Sequence, residues 1–588
     1  MPESRINRKT AIAATALSLA AAWAANVISR QARCYGGDAA QRTLSALANA
    51  GEALSNPLPS LDARDLLAGL VAGAAVALLI ALKLSGAKKR RDGREHGSAR
   101  WAGAADIRGF SAKSPDDNIM LSATEGIAID DDGIPFGKRR NKNVIVVGSS
   151  GSGKTRCYVQ PNLMNASMRA SYVVTDPKGT LLPQVGRLLE SRGHRVLRFS
   201  LTDMGGSLRY NPLAYVRSES DILKLVNALI ANTRGEGESA GEDFWVKSER
   251  LYLSALMGYV CEIAPDDERN LCTVIDLVDA SAASEEDEGF EGPVDLMFAE
   301  LAAEDPGSFA VRQYSKYRLA AGKTAKGILI SVGARLAPFD VAELRELLSY
   351  DELSLDRIGE ERSALFIEVS DSDPTFDFVA AIMYAQLFNT LTDRADSAFG
   401  GELPLHVHFL LDEFANIGRI PHFERLIATI RSRNMSASIV LQSLSQLKSV
   451  YRDGAEVIVG NCDSMVFLGG REPSTLKDMS EALGRETIDV LSTSMTRGTT
   501  EGSGASWSRT GRELMTRDEL AVMPNGKCIV QIRGLRPFYS EKASIEGHRR
   551  FPLTAQADPG NRWRAPAAPS PPGPNDALEL FEFDACPE

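Results

Sequence analysis

Cysteine is scarce and scattered. The 588-residue chain has seven, at positions 34, 157, 261, 272, 462, 528 and 586, and none form a C-x-x-C pair. That excludes a dense disulfide frame and a zinc ribbon, and fits small buried thiols in a reducing compartment. Histidine is also sparse, with six residues in all. His406 and His408 share one face of an extended run but lack the companions a metal site needs. Positive charge is in deficit: 66 Lys and Arg against 77 Asp and Glu leave a net −11. A uniformly basic nucleic-acid coat is therefore excluded, although a local basic channel is not. No basic run interleaved with aromatics stands out, so nucleic-acid contacts are not legible residue by residue.

What the chain does have is one dense phosphate-binding signature. Gly148-Ser149-Ser150-Gly151-Ser152-Gly153-Lys154-Thr155 fits G-x-x-x-x-G-K-[ST] and follows the β-branched run 143–147. Glycines let backbone N–H groups turn in around phosphate oxygens. Lys154 is placed to reach the β- and γ-phosphates, and the Thr155 hydroxyl to ligate Mg²⁺. A helix starting near Gly153 adds its positive dipole end. The expected nucleotide-contacting stretch runs from Gly148 to Arg156, with ATP and Mg²⁺ as the ligands.

Two apolar stretches precede it, 10–29 and 66–84, each long enough to cross a ~30 Å hydrocarbon core as a helix. Arg5, Arg8 and Lys9 flank the first, and Lys88-Lys89-Arg90-Arg91 follows the second. With basic flanks inside, the reading is a helical hairpin in a lipid bilayer over 1–95, with a short external loop and both chain termini in the cytoplasm. A cleaved signal peptide is the alternative for the first stretch.

The remaining chain divides by texture, and its length leaves room for two to four domains at roughly 150 residues each. A lead-in covers 96–140. Short strands alternate with helix-length segments over 141–216 and 336–550, which predicts an α/β fold with a parallel sheet. Between them, 217–335 has helical spacing and reads as an all-α insertion. Residues 551–588 are Pro-rich, then acidic, and read as a disordered tail suited to docking a basic partner. The apolar run from His406 ends in Asp412-Glu413. At a strand end one carboxylate can orient the Mg²⁺ water shell, here Asp412, and its neighbour Glu413 can take a proton from the attacking water. Ser438 to Gln442 reads as another strand, ending in an amide suited to sensing the γ-phosphate.

Several further motifs occur in order: Gly97-Ser-Ala-Arg-Trp101, Thr175-Asp-Pro-Lys-Gly179, Tyr210-Asn-Pro-Leu213, Phe244-Trp245, Leu411-Asp-Glu-Phe-Ala-Asn-Ile-Gly418, Leu441-Gln-Ser-Leu-Ser-Gln-Leu447, and Asn461-Cys-Asp463 through Gly469-Gly470. Together with the phosphate loop they resemble the TraG/TraD-type type IV coupling proteins of bacterial conjugation, over roughly residues 1–550. The resemblance implies a RecA-like motor, assembled as a homo-hexamer on the bacterial cytoplasmic membrane. Such a motor passes relaxase-bound single-stranded DNA to the proteins of a type IV secretion channel. It also implies that a neighbouring subunit's arginine completes each nucleotide site, a role carried over here to Arg431. Catalytic roles are thus expected for Glu413, Lys154, Arg431 and Gln442. Other readings stay open at this point: an FtsK/HerA-like pump for double-stranded DNA, a secretion ATPase moving protein only, and a docking platform without turnover.

Overall fold

Short β-branched runs form the strands. A small hairpin, β1 (Asn118–Met120) and β2 (Gly126–Ala128), comes first. It is followed by β3 (Val144–Val147), β4 (Ala170–Thr175), β5 (Arg195–Ser200), β6 (Ser363–Glu368), β7 (His406–Leu411), β8 (Met435–Leu441) and β9 (Ser464–Phe467). A polar ribbon, β10 (Arg485–Thr496) and β11 (Gly502–Glu513), precedes β12 (Lys527–Ile532) and β13 (Phe538–Glu541). The computed structural model describes residues 8–85, 94–233, 244–284, 290–320, 322–496 and 502–565.

The central sheet has the order β13-β12-β9-β3-β8-β7-β4-β6-β5. From β9 to β5 every pairing is parallel. At the other edge β12 runs antiparallel to both β9 and β13, so the sheet is mixed, not wholly parallel as expected. The cause is local: β12 and β13 are joined by a short turn with Gly534 at φ +84°, and antiparallel neighbours need no crossover.

Both faces of the sheet are covered, so its central strands are buried along their whole length. Ile145, Val147 and Val173 pack into one core, with the long helix Asp377–Ala398; Val144, Val146, Tyr172 and Val174 pack into the other. Phe388 of that helix stacks on Phe409 of β7 at 4.3 Å between ring centroids. The chain order reverses beside β3, whose neighbours are β9 and β8. Such a switch point leaves a crevice outside the strand carboxyl ends.

Between β5 and β6 the described residues are mainly helical, including Glu219–Asn232, Phe244–Ile263, Leu271–Asp279, Pro293–Glu304, Phe309–Tyr317 and Lys323–Leu336. Their packing encloses an ion pair: Arg335 meets Glu249 at 2.8 Å and donates to the Thr233 carbonyl at 2.9 Å. The acidic run 285–289 lies outside the described residues.

The chain divides into two compact units, Met1–Ser98 with Thr487–Gly511 and Ala99–Glu486 with Arg512–Glu588. The first holds two long helices, Arg8–Ala32 and Ala63–Ser85, and within them Ala11–Ala32 and Ala63–Lys83 are long and apolar enough to cross a membrane. They pack closely because their contact is made of small residues: a Cβ on Gly69 would come within 2.6 Å of the Ala22 carbonyl oxygen. Polar ties close the connecting end, among them Ser29 to Asp65 at 2.7 Å and Arg33 to both Asp62 and Asp65. The expected loop contains two short helices, Ala39–Ala48 and Ala50–Ser55. The basic run 88–91 lies outside the described residues. Most of the ribbon β10–β11, expected within the nucleotide domain, falls in this unit instead.

The expected tail begins too early. Residues 551–565 are packed: Trp563 is 8% exposed, its ring lies against Gly186, and its Nε1 donates to Glu190 at 2.7 Å. Gly186 is required there, because a Cβ would meet the indole at 2.7 Å. The Ala555 N–H also donates to the Gln184 carbonyl. A single large aromatic ring seated in a glycine notch outweighs the surrounding polar composition. Residues 566–588 lie outside the described set.

Candidate active site

The phosphate loop leaves the carboxyl end of β3 and is fastened to its neighbours through the backbone. Gly148 N–H donates to the Leu441 carbonyl at 3.0 Å and Ser149 N–H to the Gly469 carbonyl at 2.9 Å. Gly151 and Gly153 adopt φ of +76° and +88°, a region that favours glycine. A Cβ on Gly153 would also press within 2.9 Å of Cys157 Sγ. The helix that follows begins with a π-type turn, Thr155–Val159, and continues as Gln160–Asn165. Such turns often occur at functional sites. From beneath, Lys542 donates to the Ser152 carbonyl at 2.7 Å, and burial pushes the ammonium's pKa down.

The carboxylates arrive from the end of β7. Thr155 Oγ1 donates to Asp412 Oδ2 at 2.6 Å. Glu413 Oε1 lies 3.3 Å from Lys154 Nζ, and its Oε2 accepts from Gln442 Nε2 at 3.2 Å. Glu413 sits in the left-handed region at φ +48°, which turns the chain out of the strand immediately after Asp412. Asp412 is only 2% exposed. Burial raises its pKa to about 6 and the Glu413 charge adds to the rise, while donation from Thr155 and the Lys154 charge oppose it.

These groups line one cavity of about 380 Å³, together with Ser150, Gly151, Gly153 and Arg156. Gly148, Ser149 and Ser152, also expected here, do not line it. Ser152 Oγ is buried with no hydrogen-bond partner among the described residues. A larger cavity, about 510 Å³, opens beside Glu125 and His548 but includes no phosphate-loop residue. The 380 Å³ cleft is therefore where phosphate chemistry is possible.

The residues present fit a triphosphate with Mg²⁺. A hydroxyl and a carboxylate oxygen lie side by side, the hard oxygen donors this ion takes. The loop's conformation leaves no room for side chains at Gly148 and Gly153, where an anion's oxygens would approach the backbone.

Six lining residues lie outside the expected site residues: Asp176, Pro177, Lys178, Thr180, Asp371 and Asn416. Asp176 is buried, and its carboxylate accepts from the backbone N–H groups of Thr180, Leu181 and Leu182. Burial raises its pKa and those N–H groups pull it back. The Asp-Pro-Lys-Gly turn ending β4 was the available signal, since every sheet ligand site draws on several strand ends.

Arg431 is not brought to this cleft. It is exposed on the turn Ile430–Arg433, ahead of the amino end of β8, whereas Gln442 follows the carboxyl end. There its charge adds to the burial that lowers the pKa of Lys142. Arg156 is exposed and paired with Glu546. His406 and His408 are buried and hydrogen-bonded in a row described below.

A family model described as "Type IV secretory system Conjugative DNA transfer" matches residues 105–545. Protein VirD4 of Agrobacterium fabrum is 25% identical over 476 residues, covering 78% of this chain and 67% of its own length. Conjugal transfer protein TraG of Escherichia coli is 23% identical over 469 residues, covering 74% and 71%. Among solved structures, plasmid coupling protein TrwB in complex with a non-hydrolysable ATP analogue superposes with a TM-score of 0.55 at 17% identity, covering 78% of this chain and 96% of that one. TrwB in complex with ADP and Mg²⁺ gives 0.54 at 16% identity.

Proposed function

This chain belongs to the type IV secretory system conjugative DNA transfer family, and from that premise we propose that it is a membrane-anchored, hexameric ATPase coupling relaxase-bound single-stranded DNA to a type IV secretion channel. The observation that carries the reading is the meeting of Lys154, Thr155, Asp412, Glu413 and Gln442 in one cleft. ATP and Mg²⁺ are its ligands, as the TrwB complexes suggest.

Each residue has a distinct task. The loop backbone and Lys154 bind the phosphates, for which Lys154 exchanges its resting partner Glu413 for phosphate oxygens. Thr155 and Asp412 would hold Mg²⁺, which supplies charge neutralisation at the phosphates. Glu413 then accepts a proton from the attacking water, and Gln442 orients that carboxylate. Arg431, remote from its own cleft, serves the cleft of the next subunit in the hexamer and stabilises charge as the phosphoryl group leaves.

The two apolar helices fit an anchor in the inner membrane. Both spans are retained in this reading, and both chain termini lie in the cytoplasm. Cargo DNA, relaxase and channel proteins are the partners.

Donor cells lacking the chain, complemented with the parent or with Lys154→Ala at equal protein levels, test this. The parent should restore transfer of the mobile element and Lys154→Ala should not. Equal transfer by both would refute an ATP-driven role in conjugation.

A further inference from the structure

A row of buried polar side chains crosses the sheet face that carries the phosphate-loop helix, and the chemistry above uses none of it. His406 and His408 alternate along β7, Ser436 and Ser438 along β8, and the parallel register sets His408 beside Ser436. The direction of every bond in the row can be deduced from its far end. Asn434 Nδ2 donates to the Leu403 carbonyl at 3.0 Å, so Oδ1 faces His406 Nδ1 at 2.9 Å and accepts its proton. Both imidazoles are held neutral, because burial lowers the pKa of His408 to about 3 and that of His406 well below the usual range.

His406 Nε2 is then an acceptor, and the Ser436 hydroxyl donates to it at 2.7 Å. With its proton so used, Ser436 Oγ accepts from His408 Nδ1 at 2.7 Å. His408 Nε2 accepts from the Ser438 hydroxyl at 3.0 Å, and Ser438 Oγ accepts from the Tyr158 hydroxyl at 2.7 Å. All donors point one way, from Tyr158 toward Leu403.

The two ends of this row lie at the phosphate-loop helix and at the turn that carries Arg431. Tyr158 lies in the π-type turn that starts with Thr155. Asn434 closes the Ile430–Arg433 turn, in the left-handed region at φ +60°, and that turn carries Arg431. Shifting the Asn434 turn would strand a buried imidazole N–H, a penalty passed along the row because each hydroxyl and each neutral imidazole has a single proton to give.

We propose that this row couples the Arg431-bearing turn to the phosphate-loop helix, so that Tyr158, Ser436 and His408 are positioning residues for ATP turnover. The proposal rests on the reading that Arg431 serves a neighbouring subunit. It gives that arginine a return path: engagement with the neighbour's nucleotide is felt at the chain's own Thr155.

The test uses the full-length protein in detergent, with Tyr158→Phe, Ser436→Ala and the conservative Ser436→Thr. Tyr158→Phe removes the first proton of the row while keeping the ring's packing, and neither cut touches a group that contacts nucleotide. Each cut should lower kcat about tenfold, the equivalent of one neutral hydrogen bond, while leaving the Kd for a fluorescent ATP analogue within about twofold. Ser436→Thr should restore kcat. Ser436→Ala reads the coupling from mid-row should Tyr158→Phe fail to assemble.

Parent kcat in the assembled cut variants would overturn the proposal, as would losses of kcat and nucleotide affinity in equal measure. Arg431→Ala run in parallel separates the two ideas. If it keeps parent turnover, the reading of a finger acting in trans fails, and the coupling with it. If it abolishes turnover while the cut variants retain theirs, the coupling alone fails.

Discussion

Replacing Glu413 by glutamine separates binding from turnover, and the resting geometry sets the expected sizes. Glu413 Oε1 is 3.3 Å from Lys154 Nζ, and the side chains are 21% and 7% exposed. At that separation and an effective dielectric near 20 the gross attraction is about 5 kcal/mol, most of it offset by desolvation of both ions. A net of ~1 kcal/mol remains, and nucleotide binding must overcome it to free Lys154. Glu413→Gln removes the competing charge, so ATP should bind as tightly as in the parent or up to about fivefold tighter. Turnover should fall by about 10²–10⁴, the range for loss of a general base. Titration with a fluorescent ATP analogue and steady-state phosphate release measure the two quantities on one sample. Hydrolysis within about threefold of the parent would refute the assignment of Glu413, and ATP affinity lost together with turnover would refute the resting-pair argument.

Other consequences follow from the same geometry. Lys154→Ala and Arg431→Ala subunits, each inactive alone, should recover ATPase activity when mixed, since some interfaces then pair an intact loop with an intact finger; co-assembly without recovery would count against Arg431 acting in trans. Glu249→Ala should destabilise the fold by about 3–5 kcal/mol, because Arg335 is left buried and unpaired, and an unchanged denaturation midpoint would contradict that. His408 protonates near pH 3 in the fold and near 6.5 unfolded. The unfolded chain therefore binds more protons between those values, and stability falls as pH falls, by up to about 1.4 kcal/mol per unit. Denaturation midpoints from pH 7.5 to 5 should drop less steeply in His408→Gln; parallel slopes would discount the imidazole.

Local chemistry was the legible part. The phosphate loop needs its glycines, Lys154 and Thr155 contiguous, and Asp412-Glu413 sits at the end of an apolar strand, so both halves of the cleft stand out in the sequence. The two apolar helices are legible for the same reason: length and composition suffice. What escaped depends on contacts between distant segments. Asp176, Lys178, Asp371 and Asn416 join the cleft only through the order of the strands. The β12–β13 edge was hidden because an antiparallel pair carries no mark beyond its short turn. Residues 551–565 looked unpacked by composition, and only the notch at Gly186 explains why Trp563 is buried. The alternation His-x-His and Ser-x-Ser was visible, but its meaning required the register that pairs His408 with Ser436.

In the proposed function, ATP turnover in this cleft is coupled to a DNA strand. Its most direct test is the steady-state ATPase rate of the full-length, reconstituted protein, measured without DNA, with single-stranded DNA and with double-stranded DNA of equal length and sequence. The single strand should stimulate the rate strongly, and Glu413→Gln should abolish that stimulation. A rate indifferent to either DNA, or raised only by the duplex, would contradict that coupling.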